Sequence, residues 1–122
     1  MTLAAVWVWS LRWGARLGVS LEWSFLKKLK NIHPGDVLRE EFLNPLGISA
    51  YRLSMDIGVP QTRISEILKG NRSVTADTAL RLSKYFGNSP NFWLGLQNDF
   101  DIEEELLLKG SDLKLIKRYS AN

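Results

Sequence analysis

Residues 49–70, reading SAYRLSMDIGVPQTRISEILKG, hold two short amphipathic runs broken by one glycine. Leu53 and Ile57, with Tyr51 partly included, mark one face of the first run. Ile64, Ile67 and Leu68 stand three and four apart in the second, on one helical face. Gly58 falls at the break, where a tight turn between helices needs a residue tolerant of positive φ. Val59 follows as a core plug. Pro60 suits a first helical turn because no N–H is needed there. Ser54 is small, as two closely crossing helices require. The pattern predicts a helix-turn-helix.

The second helix carries Gln61, Thr62, Arg63, Ser65, Glu66 and Lys69 on its outward positions. Gln pairs in bidentate fashion with adenine and Arg with guanine, while Thr or Ser meets a phosphate or a thymine methyl. In helix-turn-helix proteins the N-terminal part of this helix reaches base edges. Gln61, Thr62, Arg63 and Ser65 are therefore the candidate base readers. Ser49, Arg52, Lys69, Arg72 and Ser73 are the candidate backbone contacts, placed to hold phosphates and set register. The plainer alternative is an αα-hairpin with a solvated polar face. For Gly70-Asn71-Arg72-Ser73 it is an ordinary turn.

The chain has 122 residues, enough for one domain with a real core, and no cysteine, which excludes disulfides and thiolate metal sites. Its net charge of +3 invites a nucleic-acid reading that fails when mapped. Residues 1–30 carry a net charge of +4, residues 31–99 are neutral and residues 100–122 carry −1. Any electrostatic case for DNA thus rests on placement. Arg52, Arg63, Lys69 and Arg72 all fall in or just after the helix-turn-helix, with Asp56 and Glu66 as the local exceptions.

Residues 1–25 are unlike the rest, with Trp7, Trp9, Trp13 and Trp23 among Val, Leu, Arg and Gly. The uncharged run at 1–11 is too short to span a bilayer, and its charges follow the apolar run where a signal peptide has them before it. A membrane-surface helix is one reading. The composition change near Leu26 favours another, an upstream extension of the reading frame outside the working protein. An intact Met1 on the native protein would remove that hypothesis.

From Asn31 the sequence becomes regular. His33-Pro34-Gly35 starts a first helix, with Asp36 in its first turn and Val37, Leu38 and Phe42 facing inward; Asn44-Pro45 and Gly47 are expected to end it. Ser49 is a natural N-cap. Thr75 is expected to cap a helix over 76–86 with Ala79, Leu80, Leu82 and Phe86 as core candidates, stopped by Gly87. Ser89-Pro90 opens a fifth helix bearing Phe92, Trp93, Leu96 and Phe100. That aromatic face reads either as core or as a self-association surface, since aromatic anchors are enriched at interfaces. The expected organisation is an N-terminal extension over 1–30, an all-α helix-turn-helix domain over 31–108 and a tail over 109–122. There are no internal repeats.

An enzyme is disfavoured. His33 is the only histidine, so common nucleophile–base pairs and imidazole metal clusters cannot be assembled. Glu40-Glu41 and Glu103-Glu104-Glu105 are consecutive, and consecutive helical residues point different ways, as on a solvated face. No catalytic residue, metal, cofactor or small-molecule substrate is expected.

Three ordered segments carry a resemblance: IHPGDVLREEFL at 32–43, GVPQTRISEILKGNRSVTADTALRL at 58–82 and YFGNSPNFWLGLQNDFD at 85–101. Residues 31–100 closely resemble the HigA antitoxins, small helix-turn-helix proteins related to phage repressors. The resemblance implies a five-helix lambda-repressor-like domain in the cytoplasm and a homodimer, with Phe92, Trp93, Leu96 and Phe100 at the dimer interface. It implies binding to an inverted-repeat operator in double-stranded DNA upstream of its own operon, and capture of a HigB-type messenger-RNA-cleaving toxin. Residues 1–25 match nothing in the family pattern. Two other functions stay open: a stand-alone repressor, and a toxin-neutralising module with little DNA activity.

Overall fold

The computed structural model describes residues 31–121, so the tryptophan-rich segment and its expected role lie outside the described residues. Among the described residues there are five helices and no strand. The first, α1, runs through three joined pieces: Pro34–Val37, a π-helical Leu38–Leu43 and Asn44–Leu46. Then come α2 (Ala50–Ile57), α3 (Gln61–Leu68), α4 (Ala76–Phe86) and α5 (Pro90–Leu113).

Most boundaries follow from local chemistry. Ser49 Oγ accepts from the Arg52 N–H at 3.0 Å and Ser89 Oγ from the Asn91 N–H at 3.0 Å, satisfying donors that a helix start leaves orphaned. His33 does the same for α1, its Nδ1 accepting from the Gly35 N–H at 2.9 Å. Gly58 sits at φ 70° and lets the chain turn directly from α2 into α3. Thr75 holds the N-cap position of α4, but its side chain makes no capping bond.

One expected helix end falls at Gly47 as expected but not at Asn44-Pro45, and another is corrected. Asn44-Pro45 does not stop α1, which continues to Leu46 and ends at left-handed Gly47. Proline has no N–H and its ring crowds the carbonyl four residues back. Here the preceding segment is wound as a π-helix, with the Asn44 N–H bonded to the Arg39 carbonyl five residues back. The widened turn comes directly before the proline and makes room for it. Helix α5 likewise passes through Gly110 and reaches Leu113. At about 1.5 Å per residue it is about 36 Å long, well beyond the body it packs on.

Leu38, Leu53, Ile64, Ile67, Leu82 and Trp93 are essentially fully buried and draw all five helices into one core. Ala79 joins them and Phe86 packs against them, whereas Leu80, also expected in the core, is 54% exposed. Gly35 is needed at the contact between α1 and α3: a Cβ there would run into the Ile67 carbonyl, its carbon only 2.7 Å away.

The aromatic face of α5 is core, and the expected dimer role of Trp93 and Leu96 is corrected on that ground. Trp93 is wholly buried and Leu96 nearly so. The Trp93 ring lies 5.0 Å from Phe42 and 6.3 Å from Phe86, and its Nε1–H donates to Asn88 Oδ1 at 3.0 Å. Phe92 is half-buried against Phe42 and Trp93, and Phe100 packs edge-on against the His33 ring at 4.8 Å. The first helix supplies aromatic partners that spacing within α5 could not reveal. The apolar surface left open lies further along, at Ile102, Leu106, Leu107, Leu108 and Leu113.

Candidate nucleic-acid interface

Helix α3 buries Ile64 and Ile67 and turns its polar residues outward. Gln61 and Thr62 stand exposed at its N-terminal end. Ser65 is half-exposed, its hydroxyl donating to the Thr62 carbonyl at 3.3 Å and keeping its lone pairs available. Arg63 differs from the simple expectation. Its Nη1–H donates to Asp77 Oδ2 at 2.8 Å, and only 26% of its side chain is exposed.

The candidate backbone contacts flank this helix. Lys69 is exposed at its C-terminal end and, among the described residues, forms no ion pair. Arg72 and Ser73 are exposed in the following loop, with Arg72 Nη1 3.2 Å from Glu66 Oε2. Ser49 accepts as the cap of α2, so its own hydroxyl proton remains to donate. Arg52 reaches Asp56 through Nε at 3.1 Å, leaving the rest of its fork. The Asp56 carboxyl is held below its usual range by the Tyr85 hydroxyl, which donates to it at 2.6 Å, and then by Arg52.

Groups that hold α3 in place escaped the sequence reading. Arg39 Nη1–H donates to the Leu68 carbonyl at 2.8 Å, tying α1 to the end of α3, while its Nη2 pairs with Asp36 at 2.8 Å. Buried Gln97 of α5 accepts from the Val74 N–H at 2.8 Å and donates to Asp101 at 2.9 Å. It fixes the loop carrying Arg72 and Ser73. A lone Gln on an apolar helix face was the available signal. Asp77, in the first turn of α4, bridges Arg63 and Arg81, and these two arginines lower its pKa, Arg81 more.

His33 belongs to the same support. Burial lowers its pKa, outweighing nearby Asp36, Asp101 and a hydrogen bond with the Arg72 backbone. Its Nδ1 must stay unprotonated to accept from Gly35. The folded state therefore binds fewer protons here than the unfolded state. Stability is full above the ordinary histidine value of about 6.5 and falls as pH drops below it, by at most about 1.4 kcal/mol per pH unit. Urea melts between pH 5 and 7.5 are expected to show that slope, and His33→Asn, a cap that does not titrate, to flatten it. Equal slopes in both chains would refute the assignment.

An exposed polar helix set on a rigid two-helix corner, flanked by cations and capped hydroxyls, defines a helix-turn-helix DNA-binding domain. The helix-turn-helix family matches residues 38–93. Antitoxin HigA-1 of Vibrio cholerae is 31% identical over 90 residues, spanning 74% of this chain and 85% of that protein. Among solved structures, a HigA-family addiction module antidote protein from Coxiella burnetii is 45% identical, covering 72% of this chain and 97% of that one with a TM-score of 0.69. Antitoxin GraA in complex with its operator is 40% identical, covering 74% and 92%, with a TM-score of 0.70. The chain belongs to the HigA family of helix-turn-helix antitoxins.

Proposed function

We propose that the protein is a sequence-specific DNA-binding antitoxin that represses its own toxin–antitoxin operon and neutralises a HigB-type ribonuclease toxin in the cytoplasm. The observation that carries the DNA reading is α3 itself: Gln61 and Thr62 face outward at the end that enters a major groove, while Ile64 and Ile67 fix the helix from behind. Gln61, Thr62, Arg63 and Ser65 read bases. Ser49, Arg52, Lys69, Arg72 and Ser73 hold phosphates. Two copies present their α3 helices to successive major grooves, about 34 Å apart. GraA, a relative solved on its operator, supports this use of the fold.

The second copy docks on the outer half of α5. Ile102, Leu106 and Leu113 are exposed at intervals of four and seven residues, the repeat with which one helix packs along another. Lys109, paired with Glu105 at 3.0 Å, interrupts that face as a polar position that sets register. Phe92 and Phe100, half-buried further back along α5, stay with the core of their own chain. Sedimentation of a Leu106→Lys/Leu113→Lys chain is expected to give monomer at concentrations where the parent is dimeric. A persistent dimer would move the interface elsewhere.

The test of function is a gel shift with the DNA immediately upstream of the gene, run across a salt series. A salt-sensitive footprint on an inverted repeat supports the repressor. Weak, sequence-indifferent binding with capture of the neighbouring gene product would leave the toxin-neutralising module. Tight operator binding with no toxin gene beside it would leave a stand-alone repressor.

A further inference from the structure

Asp77 lies where three helices meet. Its Oδ2 accepts from Arg63 of α3 at 2.8 Å, and its Oδ1 accepts from Arg81 Nε at 3.1 Å. Arg81 in turn donates through Nη1 to the Ile57 carbonyl at 2.7 Å, at the C-terminal end of α2. One carboxylate therefore links both helices of the helix-turn-helix to the start of α4.

We propose that Asp77 is a positioning residue for base readout, aiming Arg63 at a guanine. The proposal rests on the DNA reading of α3 given above. The Asp77 side chain is 56% exposed, and ion pairs so open to water contribute little stability. The linkage fixes direction. A guanidinium has five N–H donors in a rigid fork. Asp77 takes the Nη1 branch of Arg63, leaving Nε and Nη2 to meet guanine O6 and N7 together, as a bidentate contact requires. An arginine already held in one geometry loses less side-chain freedom on binding and tolerates fewer wrong bases. The carboxylate also repels phosphate, so its presence lowers affinity for DNA in general while sharpening choice.

The experiment uses the full chain and a set of upstream duplexes in which each base pair of a half-site is replaced in turn. Arg63→Ala is expected to erase preference at one base pair. Asp77→Ala is expected to reduce preference at that same pair by about 5- to 10-fold, on the scale of a bidentate contact, while binding to unrelated DNA tightens. Asp77→Glu restores most of the preference, which a merely structural role would not require. Matched thermal melts separate these effects from unfolding. The proposal is overturned if Asp77→Ala shifts every duplex by one factor, or if its change falls at a different base pair from that of Arg63→Ala. A wild-type chain indifferent to sequence would overturn the DNA reading itself, a result distinct from either.

Discussion

Replacing Trp93 with Ala is expected to lower stability by about 3–5 kcal/mol, the range for emptying a fully buried aromatic site. Trp93 is wholly buried, touches Phe42, Phe86 and Phe92, and satisfies its N–H on Asn88. Truncation removes the ring from three aromatic neighbours at once and opens a cavity that α1, α4 and α5 cannot close without moving. A domain of this size has only about 5–15 kcal/mol in reserve, so the variant should unfold at much lower urea concentration. Trp93→Phe, which keeps the ring contacts and loses the Asn88 bond, should fall between. If Trp93→Ala melted like the parent while losing only self-association, Trp93 would belong to the dimer surface after all.

The second large effect is on DNA. The double substitution Gln61→Ala/Arg63→Ala removes two bidentate readers from each protomer, each contact worth about 1–3 kcal/mol of discrimination. With two half-sites occupied, the loss is at least about 4 kcal/mol, roughly a thousandfold, enough to bring operator affinity down to the level of unrelated DNA. The residual binding should still weaken steeply with salt, because Arg52, Lys69 and Arg72 remain. Six such contacts in a dimer give a slope near −5 in log affinity against log salt. Titrations on operator and scrambled duplexes read both quantities. An operator preference surviving the double substitution would place base reading outside α3.

Much of this architecture is legible in local chemistry. Gly58, the serine caps at 49 and 89, and Pro90 set helix limits by their own backbone preferences, and the structure keeps them. Two of the failures depend on packing from elsewhere in the chain, and the third on how the helix itself is wound. Leu80 looks inward by spacing, yet α4 turns it to solvent beside Arg81 and Lys84. Trp93 looks like a spare aromatic until Phe42 and Phe86 close around it. Pro45 looks like a stop until the widened turn before it is seen. At the candidate site, spacing assigned Gln61 and Thr62 to the outward face and the structure exposes them. Arg63 is a candidate reader by the same spacing, and a carboxylate fourteen residues on, which spacing does not show, holds it.

The fastenings of α3 have a consequence for how such a protein changes over time. Arg39 grips the Leu68 carbonyl, Gln97 grips the Val74 N–H and His33 underpins the loop between them. None of these bonds uses the side chain of Gln61, Thr62 or Ser65. Under the readout proposed above, the side chains that choose the operator are thus separate from those that hold the helix. Under that readout, substitution at those three positions changes the recognised sequence while the bonds that hold α3 stay in place, so operator choice and fold can vary independently.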